Sequence, residues 1–203
     1  PMFNPMPIRF APDEYKFGMA TDERKREECI RNLRLTDGGN YDNMGLEPVW
    51  KRHEIVLVSD GGATFDFEGD SNLFDRVLRY SAITDSQARA LRKRWLISSF
   101  IREDLAGAYW GIAGAVESYG RPQGPGYSKE LARDVIAEIH TDLDAFSEAE
   151  AKILENHGYL LADAAIRRHM PRFAAEAAAE APHSEWLDET RVRAALKSSH
   201  RRR

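Results

Sequence analysis

Two runs of extended spacing, each stopped by the same three residues, set the strongest limit on how this chain folds. In the first, Leu33 and Leu35 alternate with Arg34 and Thr36, the two-residue period of a strand, and the run ends at Asp37-Gly38-Gly39. In the second, Glu54-Ile55-Val56-Leu57-Val58-Ser59 is a continuous apolar run, the pattern of a strand buried on both faces of a parallel sheet, and it ends at Asp60-Gly61-Gly62. Between them Asn40, Asp42, Asn43 and Gly45 keep the chain irregular until Leu46-Glu47-Pro48-Val49-Trp50, where a proline in the first turn suits a helix start. Strand, acidic turn, polar loop and helix describe an α/β arrangement, in which loops on a rigid scaffold hold reactive groups at strand ends.

The rest of the chain supplies helices. Pro1, Pro5, Pro7 and Pro12 make the first twenty residues an extended connector, and Asp22–Glu28 is a charge run of an exposed loop or helix turn. Ser71–Leu105 reads as two helices broken near Ala82–Asp85, because Thr84-Asp85-Ser86-Gln87 has the form of a capping box. Arg89, Arg92, Lys93 and Arg94 cluster in the second; a solvated face is the plain reading, and a patch for anionic lipid headgroups the sharper one. Ala106–Val116 has the small residues of a closely packed strand, and Gly120–Gly126 is a loop. Ser128 caps a helix to about Ile139, and Ser147-Glu148-Ala149-Glu150 is a capping box opening a long helix through Arg168, with Ile153, Leu154, His157, Leu160, Leu161 and Ala164/Ala165 along one face. Phe173–Ala181 is alanine-rich, Trp186–Lys197 forms a last short helix, and Arg201-Arg202-Arg203 is a basic tail.

Taken alone, Asp-Gly-Gly is a common turn, since glycine reaches positive φ without strain. The whole block from Asp37 is more specific. Asp37-Gly38-Gly39 followed by Tyr41-Asp42-Asn43-Met44-Gly45-Leu46-Glu47-Pro48-Val49-Trp50 resembles the Asp-Gly-Gly segment of the patatin-like phospholipases, bacterial members above all. Thr141-Asp142-Leu143 through Asn156-His157-Gly158-Tyr159 resembles the same proteins, so the likeness covers most of residues 33–168. It implies a three-layer α/β/α domain of mostly parallel strands flanked by helices, lipid acyl hydrolysis, and a Ser-Asp dyad in which Asp37 is the base. Gly38 and Gly39 would let the backbone fold closely around that carboxylate, and Asn43 would hold the loop. A serine hydroxyl is a weak nucleophile that needs such a partner, and an aspartate with a pKa of about 3.9 in water must be tuned by its site to serve. Asp60, in the second acidic turn, is the other candidate on local evidence, although the Asn-x-Gly-Leu-Glu-Pro context follows only Asp37. Ala63–Asn72 reads as a loop able to lie over the site.

The family nucleophile lies in Gly-x-Ser-x-Gly, before the aspartate, and no serine here has that setting. Val116-Glu117-Ser118-Tyr119-Gly120 has only the trailing glycine. The chain starts at Pro1 without an initiator methionine, so the expectation is the C-terminal part of a patatin-like domain over 1–170 with an extension over 171–203, its nucleophile on a missing N-terminal half or a partner chain. The rival expectation is a non-catalytic module binding lipid or a partner. The implied partners are a lipid or other acyl ester and peripheral contact with a membrane, at a cytoplasmic location. A formal net charge of −4 gives no support for nucleic-acid binding, and Cys29, the only cysteine of the 203 residues, permits no internal disulfide. The six histidines show no pair at metal-ligand spacing on a helix face, so no metal site is expected, the hydrolysis that the resemblance implies needs neither metal nor organic cofactor, and His157 reads as a packing histidine.

Overall fold

The computed structural model describes residues 6–8, 11–14, 22–35, 38–62, 72–120, 124–140, 145–177 and 179–199. They fall into two compact units, Pro1–Glu47 and Pro48–Arg203.

In the first unit, β1 (Met6–Pro7) pairs antiparallel with β2 (Arg34–Leu35), Met6 opposite Leu35 and Pro7 opposite Arg34. The Pro-rich start is thus partly a strand, and the run before Asp37 pairs with it in a two-stranded ribbon. Proline suits that place because an edge strand has a backbone N–H it need not donate. The charge run forms α1 (Glu23–Arg31): the Asp22 carboxylate accepts from the Arg24 amide at 3.0 Å, and Ile30 is the helix's buried residue. Two short helices follow, α2 (Gly39–Asp42) and α3 (Glu47–Trp50), the latter crossing into the second unit.

The second unit is built on β3 (Ile55–Asp60) and β4 (Ala106–Gly111), which pair in parallel from Ile55 opposite Ala106 to Asp60 opposite Gly111. Among the described residues the connection holds one helix, α4 (Leu73–Ile101), of 29 residues. The break expected near Ala82–Asp85 is absent because the Thr84 hydroxyl donates to the Tyr80 carbonyl at 2.9 Å, and Ser81 to Val77 at 3.1 Å, instead of capping a new start. Asn72 is the cap, accepting from the Asp75 amide at 3.0 Å.

Strand alternation then decides which helix covers which face. Val56 and Val58 are buried on the side of Gly107 and Tyr109, and α4 packs there: a Cβ on Gly107 would lie 2.8 Å from the Phe100 ring. Ala108 and Trp110 point the other way, toward Ala165 and Met170 at the end of α6 (Glu148–His169). Helix α6 covers β4 but not β3, so Ile55 and Leu57 stay 39% and 50% exposed and the apolar run is not buried on both faces as expected.

The Ser147 box opens α6 as the sequence indicates, Ser147 Oγ accepting from the Glu150 amide and Glu150 accepting from the Ser147 amide at 2.6 Å. Its buried face, Ile153, Asn156, His157, Leu160, Leu161, Ala164 and Ala165, links three apolar clusters. One of them joins Ile153 to Leu131 and Ile136 of α5 (Lys129–Leu131) and the π-helical turn Ala132–Ile136, and to Val192 and Leu196 around α7 (Glu189–Ala195). The Ser128 cap therefore starts a short helix that widens into a π turn. Strand β4 ends at Gly111, and Val116–Tyr119 is a 3₁₀ turn. Mixed α/β, with helices around a short parallel pair, is the architecture.

Candidate functional site

The carboxyl ends of β3 and β4 bring titratable groups together. Asp60 Oδ2 accepts from the Tyr109 hydroxyl at 2.6 Å, and Oδ1 from the Gly62 amide at 3.1 Å. Tyr109 reaches it because it stands two residues before Gly111 on the neighbouring strand, on the α4 side. Burial, then the hydrogen bond to Asp60 and that carboxylate's charge, push the phenol far above its ordinary range, with Arg89 pulling the other way. The phenol therefore stays a donor. Asp60, with a donor on each oxygen, is held as part of a rigid frame.

Helix α4 closes the site from one side. Ser86, Arg89 and Lys93 share one face of it at intervals of three and four residues. The Lys93 ammonium stands 4.4 Å from the centroid of the Tyr109 ring, a cation–π contact. Arg89 lies against Gly62, where a Cβ would meet the guanidinium at the far end of the flexible arginine side chain. The open cleft between them is about 240 Å³. A larger one, about 530 Å³, lies at the other end of β4 among Ile97, Phe100, Leu105 and Met170. In open α/β sheets ligands bind beyond the carboxyl ends of the strands, which favours the smaller cleft as the polar site.

Asp37 lies outside the described residues, as do Thr36 and Ala63–Ser71 of the expected covering loop. Gly38 is exposed, with φ −59° and ψ −24°, and Gly39 opens α2, so neither uses the positive φ expected of them. That conformation falls instead on Gly45, at φ 61°. Asn43 is exposed at the end of α2. The loop is tied by the Asp42 carboxylate, which accepts from the Glu47 amide at 2.8 Å, and by the Tyr41 hydroxyl, which donates to Glu47. Ser118 sits exposed in the 3₁₀ turn Val116–Tyr119, not on a strand-to-helix elbow.

His157 is buried, its Nε2 2.6 Å from the Ile112 carbonyl; a carbonyl only accepts, so this nitrogen carries the proton. Burial lowers its pKa below the usual histidine value, the hydrogen bond to Ile112 partly opposing. It is a packing histidine, as the sequence suggests. Among the described residues no three His, Cys, Asp or Glu side chains gather as a metal would require, and no helix is long and apolar enough to cross a membrane.

Sequence reasoning missed Tyr109, whose partner is 49 residues away, and Asn156, buried and hydrogen-bonded to both backbone groups of His183. No local motif marks either. No family model matches the chain, and neither a curated protein nor a solved structure matches it.

Proposed function

We propose that this chain is the base-bearing part of a patatin-like serine acyl hydrolase acting on a phospholipid or other acyl ester. The observation that carries the reading is the unbroken sequence block Asp37-Gly38-Gly39 through Trp50, in which acidic turn, polar loop and Leu46-Glu47-Pro48-Val49-Trp50 follow in the family's order. Two features add support. The tie between Asp42 and Glu47 fixes the chain just after the acidic turn, as a loop holding a base needs. Helices α4 and α6 lie on opposite sides of β4, the layering from which a three-layer α/β/α domain is extended.

In the mechanism, a serine outside these 203 residues attacks the acyl carbonyl while Asp37 accepts its proton. Backbone amides stabilise the oxyanion, the alcohol leaves with the proton, and water then releases the fatty acid through the same base. The test is covalent labelling by a fluorophosphonate. The full reading frame that contains Gly-x-Ser-x-Gly should label at that serine, this chain alone should not, and Asp37→Asn should slow labelling. Labelling unaffected by that substitution contradicts the assignment.

A second reading, a non-catalytic module that binds lipid or a partner chain, is favoured by one fact: no serine here stands in a nucleophile setting. A full reading frame that never labels, yet binds vesicles, would establish it.

A further inference from the structure

We propose that the edge of β4 turned away from β3 docks an extended peptide of a partner protein, which adds a strand beside Ala106–Tyr109. In the parallel ladder the Ala106 amide donates to the Glu54 carbonyl at 3.1 Å and the Ile112 amide to the Asp60 carbonyl at 2.9 Å, so the even-numbered residues face β3. Gly107 and Tyr109 therefore turn their backbone groups outward. The Tyr109 carbonyl accepts from the Tyr119 hydroxyl at 3.1 Å, but both amides and the Gly107 carbonyl have no partner among the described residues. Such a row is a template for another strand. A cavity of about 530 Å³ runs beside it. It touches each residue from Ala106 to Tyr109, although their side chains alternate between the two faces, and its walls are Phe100 and Ile101 of α4 on one side of the strand and Met170 and Pro171 after α6 on the other. A cavity that meets both walls lies along the strand edge. Its usable length is about 10 Å, closed off where Tyr119 takes the Tyr109 carbonyl. Successive side chains of an added strand point to opposite walls, and both are apolar, so the peptide carries at least two consecutive apolar residues. Charge complementarity selects a peptide over a lipid or a simple ion. Glu103 follows one wall and Arg172 the other, with opposite signs, and the edge itself presents amide hydrogens beside a carbonyl oxygen, the alternation that another backbone matches.

The edge is independent of the role of Asp37 and of the acyl hydrolase reading. The probe is acetyl-Glu-Ile-Val-Leu-Val-Ser-amide, the sequence of residues 54–59, which the opposite edge of β4 already accepts. Its control, acetyl-Glu-Ile-Pro-Leu-Pro-Ser-amide, keeps the apolar character but cannot join a ladder. Amide hydrogen exchange of the full chain, followed by NMR, reads the edge directly. Gly107 and Tyr109 should exchange faster than Ala108 and Trp110, and saturating probe should slow the first pair at least about tenfold while leaving the second pair unchanged. Ile101→Lys places a charge in the α4 wall at a residue 77% exposed, and should weaken probe binding at least about fivefold. Leu91→Lys, on the same helix but outside the cavity, should not. The comparison of the two peptides on the unsubstituted chain needs no variant to fold. No slowing by the probe, equal slowing by the proline control, or equal loss in the two variants overturns the proposal. Amides already protected in the chain alone also overturn it: protection that rises with protein concentration identifies a second copy on the edge, and protection at every concentration a cover within the chain.

Discussion

Single side chains carry the most sharply defined contributions. Asn156 is fully buried, donates to the His183 carbonyl at 2.8 Å, accepts from the His183 amide at 2.8 Å, and approaches the Tyr127 hydroxyl at 3.3 Å. It fastens the segment before Ser184–Trp186 to α6 through backbone groups that would otherwise be unsatisfied. Asn156→Ala should therefore cost about 1–3 kcal/mol in denaturant unfolding; a change of a few tenths would mean that water replaces the amide. His157 adds a dependence on pH. Its pKa is lowered in the fold, so the unfolded chain binds the proton more readily, and the stability it contributes is present above about pH 6.5 and lost as pH falls below that toward its folded value. Replacing it with Gln should flatten that part of the stability profile between pH 7.5 and 5, measured by urea midpoint. An unchanged profile would assign the dependence to other groups.

At the scale of elements, strand pairing and caps explain what could be read from the sequence and what could not. Ser147 and Glu150 announce α6 because the cap's partner is three residues away, inside one turn. Thr84-Asp85-Ser86-Gln87 has the same form but lies within α4, where the Thr84 hydroxyl finds the Tyr80 carbonyl of a helix already running. Ser147→Ala should cost about 1 kcal/mol and Thr84→Ala less than about 0.5 kcal/mol by thermal unfolding. Equal costs would restore a helix boundary at Thr84. Strand β3 was legible from its apolar run, yet its exposed face was not, because coverage depends on where α6 ends up. Gly107 is the tightest point of the pair: a side chain there meets both the Val56 carbonyl and the Phe100 ring. Gly107→Ala should destabilise the second unit by about 1–3 kcal/mol, and a neutral result would show that α4 can withdraw from the strand.

For the whole molecule, the sequence indicated an α/β chain, and the parallel β3–β4 pair with helices around it agrees. It did not indicate that β2 would pair antiparallel with the Pro-rich start, since two-residue strands carry too little pattern to fix a partner. Of the site, Asp60 could be picked out by its turn, whereas the cleft around it is assembled from α4 and β4, distant in sequence, and only the fold joins them. The acyl hydrolase reading rests on the opposite kind of signal, a contiguous block that ends at Trp50. It is tested most directly by kcat/KM for a short-chain p-nitrophenyl ester, measured on the full reading frame carrying Gly-x-Ser-x-Gly beside its Asp37→Asn form. A fall of about 10²–10⁴-fold with unaltered folding is expected of a lost general base. Activity equal to that of the unsubstituted protein would remove Asp37 from the mechanism and with it the central claim.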